Sequence, residues 1–401
     1  MASTSFVSLA LLAGGMLLGS GTAARAQNPG SRAAETAAEQ EHKARALSPY
    51  RRGFLERQLL EIEHAGGFGV ARGLFVTSGD IKRGAGPSLG PAYGKTFASG
   101  AVLQAKAVFS TRNAKVVQVA LQSPELARRT LTIRTRVRWQ DVPDVAFHGL
   151  APGVRREAGG YDERQTEVSV GAAFRPERLL RFGGGLALQR FDTDVASETG
   201  PAAGSLFAGV PGVGADPQYL HGYGSAGIDS RDGEGYSRHG SLLRATLHDY
   251  RQQNDGPYSF RRIDGAAEQY VPILGGNWVL YLGLRASTTS ADAGESVPFF
   301  LLPDLGGHDL RGYSNYRFLD RHSLLMTAEY RWYAQEFLDG AIFYDAGKAV
   351  SRRADLDFTG LRHSYGAGVR LHGSRATVLR IEVARSREGT RFILAFSPVG
   401  E

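Results

Sequence analysis

The 401-residue chain contains no cysteine. Disulfides and thiolate metal sites are therefore excluded, and the absence is compatible with an oxidising periplasm. After Ala26 there is no run of about 18 apolar residues, which excludes a helical membrane protein. No serine stands in the setting of a nucleophile elbow. The 10 histidines are scattered, with no pair at ligand spacing beside a third candidate. The sequence thus offers no enzyme active site, no metal centre and no cofactor.

Two glycine patterns look chemical and lack their required context. Gly222, Gly224 and Gly227 form a G-x-G-x-x-G, but Ile228, Asp229, Ser230 and Arg231 do not open an amphipathic helix, so a dinucleotide site is not supported. Gly90, Gly94, Lys95 and Thr96 fall one residue short of a phosphate-binding loop and read as a hairpin turn.

What is present begins with a secretory signal over residues 1–26. An apolar run from Phe6 to Leu18 leads to Ala24, Arg25 and Ala26, a small-residue cleavage pattern, although no Lys or Arg precedes the run. Residues 27–66 then form a polar tail rich in Ala, Glu, Gln and Arg. Within it Leu55, Leu59, Leu60 and Ile62 recur near helical spacing, which predicts a short helix over Tyr50 to His64. The tail is too short for a domain of ordinary size.

From residue 67 to 401 the period changes to two. In Trp278 to Thr288, Trp278, Leu280, Leu282, Leu284 and Ala286 share one face, and Val279, Tyr281, Gly283, Arg285 and Ser287 the other. Thr130 to Trp139 repeats this, with Leu131, Ile133, Val137 and Trp139 opposite Thr132, Arg134, Arg136 and Arg138. Three arginines on one face need water. A soluble sandwich could supply it as bulk solvent, a barrel as an aqueous lumen.

Five alternating segments close the chain: Ser323 to Ala334, Gly340 to Val350, His363 to Gly373, Ala376 to Ser386 and Thr390 to Ser397. Earlier runs at Tyr258 to Val271, Gly240 to Arg251, His221 to Arg231, Leu180 to Phe191 and Gln165 to Phe174 extend the meander to about 16 strands. Trp278, Trp332, Tyr333, Tyr344, Phe392 and Phe396 sit near strand ends or on outward parity, as interfacial girdles would. The slightly negative mean hydropathy does not oppose this, because barrel strands alternate apolar with polar residues. The fold class is therefore all-β, a transmembrane antiparallel barrel with a long connection from Ser290 to Arg321. The net charge of +7 fits an acidic lipid surface or a charged lumen, and export makes nucleic acid the poorest partner. Arg134, Arg136 and Arg138 on the lumen side predict a modest anion preference in an open pore.

Gly306, Gly307, His308, Asp309, Leu310, Arg311, Gly312 and Tyr313, near the end of that long connection, resemble the lid-loop motif of the BamA/TamA family, the bacterial surface antigen barrels of outer-membrane assembly and translocation. Ala328 to Arg331 resembles the family's glutamate-bearing strand, Phe343 to Gly347 its aspartate-bearing strand, and Ser364 to Arg370 the strand after it. Asp229 to Asp232 followed by Gly240 resembles another signature. These elements stand in family order.

The resemblance implies a 16-stranded barrel whose long loop folds inside, so that Arg311 meets Glu329 and Asp345. It also implies outer-membrane lipid as a partner, with an unfolded polypeptide or a periplasmic protein as a second. Parity places both acids on the lumenal face, and parity alone is equally met by three separately solvated charges. Two departures stand out. The tail is shorter than a polypeptide-transport-associated domain, which leaves a passive pore or structural barrel as the alternative function. The chain also runs past Phe396 with Ser397, Pro398, Val399, Gly400 and Glu401 rather than ending on an aromatic residue.

Overall fold

The computed structural model describes residues 73–150, 158–197, 205–274, 277–335, 337–373 and 377–396. The expected signal, the tail with its helix, and the last five residues lie outside them. The wall begins with β1 (Gly73–Ser78), β2 (Ser88–Thr96), β3 (Val102–Ser110), β4 (Lys115–Gln122), β5 (Leu131–Phe147) and β6 (Gly159–Phe174). It continues through β7 (Leu180–Val195), β8 (Gln218–Asp229), β9 (Gly240–Gln252), β10 (Phe260–Ile273) and β11 (Trp278–Ala291). Inside the long connection lies a small hairpin, β12 (Asp304–Leu305) and β13 (Phe318–Leu319). The wall resumes with β14 (His322–Gln335), β15 (Leu338–Val350), β16 (Arg362–His372), β17 (Thr377–Ser386) and β18 (Gly389–Phe396).

All wall neighbours are sequential and antiparallel in one 16-stranded sheet, with β11 beside β14. The meander read from the sequence is thereby borne out. The G-x-G-x-x-G residues lie within β8, a strand where a dinucleotide site would need a helix start. The hairpin turn expected at Gly90 to Thr96 is overturned, because those residues belong to β2. A Cβ at Gly90 would lie 1.8 Å from the Ala107 carbonyl oxygen on β3, so this glycine serves close strand approach, not chain reversal.

Burial along each strand is inverted relative to a soluble sandwich. On β6 and β7 the outward Val168, Val170, Leu186 and Leu188 are exposed, whereas the inward Glu163, Glu167, Gln189 and Thr193 are buried. Polar groups are withdrawn inside and hydrogen-bonded to one another, as in Gln189 to Glu167 (2.9 Å) and Gln140 to Gln165 (2.8 Å). Such a surface is stable only against lipid. Two of the three inward arginines of β5 are paired there: Arg136 with Glu167 (2.7 Å), and Arg138 with Asp80 (3.2 Å).

Contacts across the interior require the sheet to curl round. The β1–β2 connection sends Lys82 to the Tyr161 hydroxyl and Glu163 on β6. At the opposite rim, the β8–β9 connection sends Tyr236 to Asp339 on β15. The long connection 292–321 lies on the same rim as the β1–β2 and β15–β16 connections and the tight β17–β18 turn, and the β4–β5 and β8–β9 connections lie on the other. In barrels of this class the rim with the longest loops is extracellular and the other periplasmic. Among the described residues β1 and β18 do not pair with each other.

Candidate functional site

Strict alternation along β14 turns Glu329 and Arg331 inward, and the register opposes Glu329 to Phe343 and Thr327 to Asp345 on β15. On the next strands Gly366 lies opposite Phe343, and Ala384 opposite Gly366. These small residues leave a shallow floor on which the Phe343 ring lies. A Cβ at Gly366 would come 2.5 Å from Phe343 Cζ and 2.1 Å from the Val383 carbonyl oxygen.

The long connection folds over this floor. Its hairpin β12–β13 holds the ends together, and Leu310 packs with Leu305, Phe318, Leu325 and Ala349 in a lumenal apolar cluster. The chain reverses at Gly312, whose φ of +89° is costly for any residue with a Cβ. Close approach gives a second reason for glycine there: a Cβ would sit 3.2 Å from the Cβ atoms of Ser364 and Ser386. The Gly312 carbonyl accepts from the Ser386 hydroxyl (2.7 Å), and the Tyr313 hydroxyl donates to the His363 carbonyl (3.2 Å). Leu310, Arg311, Gly312 and Tyr313 are thus all set against the wall.

Arg311 lies between these contacts, its guanidinium carbon 3.4 Å from the centroid of the Phe343 ring. Its Nε and Nη2 donate to the two oxygens of Asp345 (2.8 and 2.9 Å). Its Nη1 donates to Glu329 (3.0 Å) and to Glu382 of β17 (3.1 Å). Its backbone amide also points at Asp345 (3.3 Å). The side chains of Arg311, Glu329, Asp345 and Glu382 are 3, 2, 0 and 1% exposed, so these are buried ion pairs and not solvated neighbours. Arg331 and Arg370 complete the set, both reaching Glu329, and Arg370 also Glu382. Three arginines therefore face three carboxylates. Balance of this kind is what lets charge sit away from water.

One residue before Leu310, Asp309 makes the reverse arrangement. Its carboxylate accepts from Arg285 of β11 (2.6 Å) and from Arg83 of the β1–β2 connection, and Arg83 also holds Asp304. The loop therefore presents an acid to basic groups on one side and a base to acidic groups on the other. Burial raises the Asp309 carboxyl, but Arg285 and Arg83 outweigh it, leaving the group below the usual carboxylate value. Asp304, more deeply buried, is pushed upward despite Arg83.

Arg311, Glu329 and Asp345 are brought together as the resemblance implied. Glu382, Arg331 and Arg370 join them, and Asp309 forms a second cluster with Arg285 and Arg83; none of these six is given a partner by the sequence alone. Inward parity was the available signal for Glu382 and Arg285, but parity marks many lumenal residues and selects none. Of the aromatic girdle residues, Tyr333 opposes the inward Asp339 and lies 5.6 Å from the Arg238 guanidinium, so it belongs to the periplasmic mouth.

Comparison with known proteins gives a family and a fold. The Omp85 superfamily domain matches residues 100–389. No curated protein matches in sequence. BamA from Haemophilus ducreyi lacking POTRA domains 1-3 superposes with a TM-score of 0.57 at 12% identity, over 85% of this chain and 76% of that one. CdiB from Escherichia coli superposes with a TM-score of 0.54 at 10% identity, over 81% of this chain and 60% of that one. At such identities the two likenesses speak for the barrel fold alone. With the family domain spanning residues 100–389, most of the chain, this protein belongs to the Omp85 superfamily.

Proposed function

We propose that this chain acts in the bacterial outer membrane to translocate or insert polypeptides, with Leu310 to Tyr313 as the lid-loop motif and Glu329 and Asp345 as the lumenal partners of Arg311. The observation that carries the reading is the burial of Arg311 among three carboxylates. A buried ion pair is poor evidence for added stability, because apolar residues of similar volume often hold as well or better. What it supplies is a defined loop position held at Arg311 by ion pairs, and such polar contacts can be exchanged for water or for the amides of a passing chain. The superfamily supports an assembly or translocation barrel in general. The polypeptide as substrate, and a periplasmic protein that delivers it, are specific to this proposal.

The test is reconstitution of the full chain into vesicles of phosphatidylethanolamine and phosphatidylglycerol, followed by addition of a urea-unfolded outer-membrane barrel precursor. The protease-protected fraction should rise several-fold faster than with protein-free vesicles, and Arg311→Ala, still folded by gel mobility, should lose most of the gain. Equal rates with and without the protein would reject the proposal and leave a passive pore.

A further inference from the structure

A second cluster of arginines lies outside the latch, at the extracellular rim. There the lid segment Tyr313 to Phe318, the end of β15, the β15–β16 connection and the β17–β18 turn enclose a cleft of about 420 Å³. Its wall carries Arg317, Lys348, Arg362 and Arg387. Lys348 is matched by Asp357 (2.5 Å), Arg317 by Glu388 (2.7 Å), and the lining acid Asp355 is taken by Arg352 (2.9 Å). Among the described residues the Arg362 and Arg387 side chains make no hydrogen bond or ion pair. Arg362 only lies over the Phe318 ring, 5.9 Å from its centroid. The cleft thus holds a surplus of two positive charges.

Arg317 adds a third guanidinium to the cleft wall. Its side chain is only 7% exposed, and its Nε donates to both oxygens of Glu388 at 2.9 Å. Its Nη1 is buried with no hydrogen-bond partner among the described residues. An unsatisfied guanidinium N–H in a dry wall is costly, and native structures supply such groups with an acceptor.

We infer that this cleft binds a phosphate monoester. A surplus of two charges matches the charge of about −1.5 to −2 that such a group carries at neutral pH. Guanidinium forks suit its oxygens, which accept two parallel N–H bonds from each arginine. Arg362 and Arg387, whose side chains make no hydrogen bond or ion pair among the described residues, close on those oxygens. Two sources share this chemistry at the outer rim, a phosphorylated lipid headgroup and a soluble phosphate ester.

The experiment uses the full folded chain and two charge-matched variants. Arg362→Gln with Arg387→Gln removes the surplus in the cleft. Arg128→Gln with Arg129→Gln removes the same charge from exposed positions on the opposite rim. Inorganic phosphate titrated calorimetrically in detergent should bind the parent and the opposite-rim variant alike, and bind the cleft variant at least about tenfold more weakly, since each lost charged hydrogen bond contributes more than a neutral one. In phosphatidylcholine nanodiscs, retention of phosphatidic acid over phosphatidylglycerol, read by native mass spectrometry, should show the same dependence if the source is lipid. Phosphate binding without lipid retention assigns a soluble ester, and lipid retention without phosphate binding assigns the headgroup. Equal loss in both variants, or no binding in either arm, overturns the inference.

Discussion

In the function proposed above, Arg311 is the residue that holds the lid in position. Removing one member of a buried pair costs about 3 to 5 kcal/mol, against about 0 to 1 for an exposed one. A wet lumen would place the latch between these limits, but exposures of 3% or less put it at the buried end. A cycle of Arg311→Ala and Asp345→Ala should therefore give a coupling of about 2 kcal/mol or more in loop opening, read by protease access. Arg311→Lys should not restore protection, since a single ammonium cannot fork to Asp345 while serving Glu329 and Glu382. Strict additivity, with the loop equally protected throughout, would show that Arg311 is no latch.

Asp309 should give the lid an acid limit. Its folded carboxyl lies below the ordinary aspartate value, so its contribution is complete above about pH 3.9 and is lost as pH falls through the folded value. Asp304 is shifted the other way, so its contribution is present below that pH and lost on the way up. Lid protection should hold from neutral pH to about 4 and then fall in the parent, whereas Asp309→Asn should be weaker at neutral pH and lose the acid step. An unchanged acid step in Asp309→Asn would reassign it to other carboxylates.

At the scale of elements, one strand and one connection each set the position of a neighbour. Gly366 on β16 lets the Phe343 ring lie flat beneath Arg311. Gly366→Val should therefore push the ring into the guanidinium and release the lid about as effectively as Arg311→Ala, at an overpacking cost of about 1 to 3 kcal/mol. The same protease assay decides it, and a fully protected lid would mean the floor can give.

The β8–β9 connection behaves as a strap at the periplasmic mouth. The Gly235 carbonyl accepts from the Thr377 amide (3.1 Å), and Tyr236 stacks on His372 with centroids 4.0 Å apart. The Tyr236 hydroxyl donates to Asp339 (2.6 Å) and accepts from Arg238 (2.8 Å). Tyr236→Phe keeps the stack and loses a bond to a charged group, so strap closure should weaken by about 1.5 to 3 kcal/mol. Hydrogen exchange at residues 233–239 should rise accordingly, and more so in Tyr236→Ala.

At the scale of the whole molecule, lid and β1–β2 connection both occupy the lumen, tied to each other through Arg83 and to the wall through Lys82, Arg285 and Arg311. The barrel in planar bilayers should therefore conduct weakly, and Asp309→Ala with Arg311→Ala should raise the conductance without unfolding it. Ion selectivity should be slight in either form. The anion preference expected from Arg134, Arg136 and Arg138 is reduced by the pairing of Arg136 with Glu167 and of Arg138 with Asp80. A strongly anion-selective open state would mean that these pairs separate when the lid leaves.

The sequence by itself determined the strands and their faces. Side chains alternate every residue, so the apolar Leu280, Leu282 and Leu284 and the inward Glu329 and Asp345 were legible from parity alone. Family order in the lid motif singled out Arg311. Only the tertiary structure decided which inward charges meet, because parity fixes a face and says nothing of what lies across the lumen. Glu382 is 71 residues from Arg311, and Arg83 is 226 residues from Asp309. Such partners are chosen by how far the sheet curls and where the loop is seated. The turn wrongly expected at Gly90 has the same origin, since a glycine needed for a neighbouring strand's close approach cannot be told from one needed for a bend until the neighbour is in place.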